Sequence, residues 1–463
     1  MSKTTDAPAA GRPGKGNVTT AIKAGAATAT QTDNEQPVSV STWLILVYVW
    51  LLTTTPHVRF GTIADIHFER ILVVLIVLSL LSGQRIVRSL NLATVLLVSF
   101  FLWCLVGYLQ SPYQDAVWAV WWIENYWKLM LFYFFVVLGI RSVRDLKVFI
   151  IGVAVISLGY QLLSWRDFLA GGSYVYQQGG KRMVGVWSGG GVGAANAYGL
   201  LALYSLPFAQ FWFTLTRRND VKWLVLFFMA VCFASVIFSG SRAAMVCALL
   251  FVLVTYGKRL LSVKLLLALA IGGAVALSVM PEHLRHRYFD LIVVDQEAVS
   301  RQGSDRIAQE SAQSRLQGLL DGFSLGQRRP VFGYGPGSSA LARAEVEDTN
   351  IAVIADDPEA LGLHNLYGQV MAETGVVGTI LFVALVATTL LQLRKARQVR
   401  MSSRESSEVV HAAAKMLITT IVLLLIYGLT AHSLFRYYWL VFFATHVVLM
   451  DLVFDDKSKP VRR

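Results

Sequence analysis

His364 and Asn365 stand where a long polar stretch gives way to an apolar run, in HNLYGQVMAETGVVG, with glycines at 375 and 378. An imidazole at a helix start beside water titrates near neutrality, so it can accept a proton from a hydroxyl or donate to a phosphate. The same residues would equally serve as a helix cap followed by helix-packing glycines. Arg242 ends Ser239-Gly240-Ser241-Arg242, a connection between two apolar runs so short that the guanidinium must lie at an interface. The turn's N–H groups could help it hold an anion; snorkelling to lipid headgroups is the plainer alternative. Lys181 and Arg182 precede a glycine-rich stretch. Arg182 can grip phosphate oxygens through its planar fork, and Lys181 adds a point charge. That stretch matches no glycine-rich nucleotide fingerprint and follows no expected strand.

Further along, Arg315 lies on a short amphipathic stretch ahead of Gly333-Tyr334-Gly335-Pro336-Gly337, where Gly335 and Gly337 would let a ligand approach the backbone closely. Pro281 opens PEHLRHRYFDLI, which reads as an interfacial helix and scaffold rather than site. His432 and Arg436 occupy the last short connection and could join the site from another helix. Glu124 and Lys128, four apart inside an apolar run, are expected to pair on one helix face. Asp65, His67, Glu69 and Arg70, near the start of the second run, could equally join the site or only mark an interface. Glu345, Glu347, Asp348, Asp356 and Asp357 lack the spacing of a calcium loop, and no Asp-x-Asp triplet occurs. Neither a metal nor another cofactor is therefore expected.

These residues need elements to position them, and the composition dictates which kind. The chain has 463 residues, of which 55% are hydrophobic and only 15% charged, and its mean hydropathy is +0.55. A soluble globular enzyme is excluded, because soluble domains carry about 25% charged residues. Twelve apolar runs approach the length that crosses a bilayer, so an all-α polytopic membrane protein is expected. They fall at about 43-55, 62-82, 91-110, 118-140, 146-163, 191-214, 222-239, 243-257, 261-280, 365-390, 413-431 and 437-454. The net charge of +12 would suggest nucleic acid in a soluble protein; here its distribution matters more, and no nucleic-acid partner is expected.

Lys and Arg gather in alternate connections, including both chain ends, which predicts cytoplasmic termini. The expected organisation is a disordered tail at 1-40, helices over 41-280, a large periplasmic loop at 281-364, helices over 365-455, and a second tail at 456-463. The large loop holds eight Arg against thirteen acids, and long loops escape the charge rule in any case. Cys104, Cys232 and Cys247 all fall in apolar runs, which leaves no thiol for a loop disulfide.

The run His364-Asn365, nine residues, Gly375, two residues, Gly378 resembles the signature of the O-antigen ligase and polymerase superfamily of bacterial membrane proteins. Around it lie Arg182 to Gly185 leading to Asn196, the Ser-x-Ser-Arg turn ending at Arg242, and Arg315 before the glycine-rich turn, in the family's order. The resemblance implies a membrane-embedded glycosyltransferase of the C type in the inner membrane, with an undecaprenyl-diphosphate-linked glycan as donor and a periplasmic site. It implies His364, Arg182 and Arg242 as catalytic residues, with Lys181, Arg315, Asn365, Gly335, Gly337 and Arg436 binding substrate. Lipid A core leads as acceptor. Polymerisation of lipid-linked repeats or transfer to protein are alternatives, and a lipid-linked glycan transporter is an alternative of another class.

Overall fold

The computed structural model describes residues 37–56, 60, 65–82, 91–177, 180–186, 194–257, 278, 280–289, 304–347 and 362–458. Most of the expected N-terminal tail, most of the run at 261-280, Asp348, Asp356, Asp357 and the last residues of the C-terminal tail lie outside them. Helices stand over every other apolar run: α1 (Val40–Thr54), α2 (Phe68–Leu81), α3 (Leu92–Leu109), α4 (Val117–Gly139) and α5 (Val143–Leu169). After a hairpin of β1 (Tyr174–Gln177) and β2 (Gly180–Met183) come α6 (Ala195–Leu215), α7 (Asn219–Phe238) and α8 (Arg242–Tyr256). Three helices lie in the expected loop: α9 (Glu282–Phe289), α10 (Ser304–Arg328) and α11 (Ser339–Val346). The chain closes with α12 (Leu366–Ala396), α13 (Arg404–Tyr427) and α14 (Tyr437–Ser458).

Among the described residues six helices are long and apolar enough to cross a membrane: α3, α5, α7, α12, α14 and α13 with its short continuation to Thr430. Their outward surfaces carry bare large apolar side chains, among them Leu102, Phe227 and Ile380. In water such an area would drive aggregation, whereas against lipid it costs nothing. The protein is thus an all-α membrane protein. α14 is enclosed over most of its length, the place for a helix apolar on every side. It packs mainly on α4, while α6 packs on α7 and α13, and α12 on α3 and α10.

The structure differs from the expectations in two places. Lys128 and Glu124 form no ion pair; the Lys128 ammonium donates instead to Asn125 Oδ1 at 3.1 Å, and Glu124 is exposed. Residues 174–177 and 180–183, read as loop, pair as antiparallel strands in which Val175 is opposite Arg182. Its YVYQ strand has the aromatic and β-branched composition of a strand, but it is too short for alternation to stand out.

Two features fix the segment between α8 and α12 to the helices. Gly318, Gly322 and Gly326 form a stripe on α10, and a Cβ at any of them would collide with Leu363, Gly368 or Met371 at the start of α12. The backbones therefore touch along about two turns. The second is a break in α12 at Gly375, whose φ of 65° and ψ of −168° only glycine adopts readily. The break frees three carbonyls, and each finds a donor: Ala372 O accepts from Tyr334 N at 2.8 Å, Glu373 O from Gly335 N at 3.1 Å, and Thr374 O from Trp103 Nε1 at 3.0 Å. Buried backbone groups must be paired, so the GYGPG turn and the helix break specify each other.

Candidate active site

The hairpin exists to carry one side chain inward. Arg182 on β2 is 1% exposed, with Nε donating to Ser239 O at 2.8 Å and Nη2 to Asn196 Oδ1 at 2.7 Å. It lies over the Ser239–Ser241 turn, whose Gly240 has a φ of 61° and leaves room for the guanidinium. Ser241 caps α8, which starts at Arg242. Tyr427, at the end of α13, donates to Asn196 O at 2.8 Å. Arg315, on α10, completes the group. Burial lowers the Arg182 pKa to about 10, and repulsion from Arg315 and Arg242 adds to the shift, while Tyr288 and Tyr427 oppose it. Arg315 is likewise lowered by burial and by Arg242. Arg182 is still a cation at pH 7, and among the described residues no carboxylate lies within 4.0 Å of it.

Lys181 turns the other way, as its strand neighbour must. Its ammonium stands over the rings of Tyr174 at 4.1 Å and Phe168 at 5.0 Å, not among the arginines.

His364 precedes α12 with a φ of 46°, a left-handed conformation that a non-glycine residue adopts at a cost. Asn365 holds it there: its Oδ1 accepts from Tyr367 N and Gly368 N, capping α12, and its Nδ2 donates to Leu429 O at 3.0 Å. The His364 ring lies 5.2 Å from that of His432, centroid to centroid. Both face a cavity of about 120 Å³ whose wall also includes Asn196, Tyr427 and Arg436. Asn196 thus joins the arginine group to the histidine cavity. Burial, then the nearby His364 and Arg436, push the His432 imidazole down to about 3, so it is neutral at pH 7.

Gly335 and Gly337 have φ of 94° and 75°, and a Cβ on either would strike protein: Ser111 Cβ at 2.7 Å and the Trp118 carbonyl carbon at 2.5 Å. Their close approach is to the chain itself. Gly337 N also donates to Glu373, a buried carboxylate that further accepts from Ser339 Oγ and Gln369 Nε2. Gln369 in turn accepts from Leu434 N at 3.2 Å. Glu373 is not among the residues singled out from the sequence, although a carboxylate inside an apolar helix is a functional signal in itself. Tyr427 gave no such signal, because a tyrosine at a helix end is commonplace. Among the described residues no three metal-ligating side chains converge.

No curated protein matches the chain. A family model described as O-antigen ligase matches residues 224–383, which takes in Arg242, Arg315, the GYGPG turn, His364, Asn365, Gly375 and Gly378 but not Arg182, His432 or Arg436. Over these residues the chain is similar to the O-antigen ligase and polymerase superfamily.

Proposed function

We propose that this protein is a glycosyltransferase that moves a glycan from undecaprenyl diphosphate to an acceptor hydroxyl, with lipid A core as the acceptor. The site would open to the periplasmic face of the inner membrane, with both termini in the cytoplasm. The observation that carries the reading is the group of Arg182, Arg242 and Arg315 beside a cavity containing His364. Arg182, buried and with no carboxylate within 4.0 Å among the described residues, suits a ligand that brings its own negative charge. A diphosphate supplies it and gains more as the bond to the sugar breaks, so the arginines favour the transition state over the ground state.

In this reading His364 takes the proton. The acceptor oxygen attacks the anomeric carbon, its proton passes to the imidazole, and the bond from that carbon to the diphosphate oxygen breaks. Undecaprenyl diphosphate leaves, and the configuration inverts in one displacement. His432, neutral and adjacent, packs beside His364 without placing a second positive charge there. Asn365 acts by positioning, since its polar atoms are taken by the backbone.

The test is transfer by purified protein in nanodiscs from an undecaprenyl-diphosphate glycan, with chelator present, to lipid A core or to a second lipid-linked repeat. Product on the core supports the ligase reading. Lengthened lipid-linked chains would make the protein a polymerase, and absence of transfer to either would overturn both.

A further inference from the structure

A second cavity, of about 90 Å³, lies against the first, and His432, Ser433 and Arg436 line both. Its composition is different. Trp118, Trp121 and Trp122 reach it from α4, and Gln369 and Glu373 from α12. The tryptophans are spaced three and four apart, which puts them on one face of the helix. Trp118 and Trp121 are partly open, while Trp122 is 1% exposed. The geometry points to a saccharide subsite here, in which a pyranose ring lies against the indoles of Trp118 and Trp121 and hydrogen-bonds to Trp122 and His432.

Three observations support it. First, the wall is aromatic with a few polar groups, the pattern of a small-molecule site, and indole offers an apolar face together with an N–H donor. Second, the polar groups are unfinished. Trp122 Nε1 and His432 Nδ1 are buried and have no hydrogen-bond partner among the described residues. Unfilled buried polar groups in a cavity wall are what sugar hydroxyls satisfy, because each hydroxyl both donates and accepts. Third, the cavity adjoins the histidine cavity across a shared wall, so a ring in it would be continuous with the reacting groups.

The inference rests on the proposed function and adds to it where the glycan is held. A pyranose here could belong to the donor or to the acceptor, and the experiment separates them. Full-length wild-type protein and the Trp118→Ala and Trp121→Ala variants, changed at partly exposed positions, are placed in nanodiscs. Binding of undecaprenyl diphosphate and of undecaprenyl-diphosphate N-acetylglucosamine is measured, and KM for rough lipopolysaccharide is measured in the transfer assay. If the subsite holds donor sugar, the variants bind undecaprenyl diphosphate as wild type does and bind its sugar-bearing form about tenfold more weakly. If it holds acceptor sugar, both donor affinities are unchanged and KM for the lipopolysaccharide rises about tenfold. Unchanged values in both arms would overturn the subsite and leave the tryptophans as interfacial anchors. Failure of the wild type to bind undecaprenyl diphosphate would overturn the functional reading itself, a result distinct from the other three.

Discussion

At His364 the backbone and the side chain make opposite demands. A φ of 46° favours glycine, yet an imidazole stands there, which fits a position where the side chain is worth the strain. His364→Ala should reduce transfer by at least about a hundredfold. His364→Gly should do the same while being about 1 kcal/mol more stable than the alanine variant, because glycine relieves the strain. Thermal unfolding in detergent alongside the transfer assay checks both parts. Arg182→Lys keeps a charge but cannot reach Ser239 O and Asn196 Oδ1 together, so about a tenfold or greater loss of transfer is expected; near-normal turnover would remove Arg182 from the site.

His432 gives a prediction in pH. Its pKa is about 3 in the fold, against about 6.5 for an exposed histidine, so below pH 6.5 the unfolded chain takes up a proton that the folded one refuses. Stability therefore falls as pH drops from 6.5 toward 3, by about 1 kcal/mol per pH unit from this residue. His432→Gln should show a shallower loss of melting temperature between pH 7 and 5 than the wild type. Equal slopes would mean that the imidazole titrates normally.

Between α10 and α12 the elements of the site meet through backbone contacts. Arg315 reaches the arginine group because α10 lies flush on α12 along its glycine stripe. Gly322→Ala puts a methyl group into the Gly368 backbone, which must push the two helices apart. Transfer should fall at least about tenfold with every charged residue intact, and stability should fall by about 1–3 kcal/mol. Stability and activity equal to wild type would show that this crossing is not needed. The sequence displayed the ends of this arrangement but not the arrangement itself. HN-x9-G-x2-G is legible as a motif, whereas the role of Gly375 as a break that receives the 330–335 segment is not, since positive φ leaves no mark beyond the glycine. The hairpin was hidden for a related reason: four-residue strands are too short for periodicity to separate from loop.

For the whole molecule, hydropathy placed helices well, because lipid leaves the backbone little choice but to bond within its own segment. Boundaries moved where polar turns continue a helix past its apolar part, as α13 does by starting at Arg404 rather than near 413. What hydropathy could not show is which helices meet, and so neither the link from Arg182 through Asn196 to the histidine cavity nor the tryptophan cavity was legible. The alternation of basic connections gives a prediction at this scale. The three native cysteines are buried, so a cysteine introduced at Gln313 or Ser2 can be labelled over a low background. An impermeant maleimide should label Gln313→Cys in intact spheroplasts and Ser2→Cys only after lysis. The reverse pattern would invert the proposed topology.

The strip of chain from His432 to Arg436 is a single partition with a cavity on either side. Any occupant that shifts this partition alters the fit on its far side, and thermodynamic linkage requires the influence to run equally in both directions. Donor and acceptor binding would then be cooperative or antagonistic as a pair, with one coupling energy describing both. A donor affinity measured without acceptor would describe only half of a coupled equilibrium.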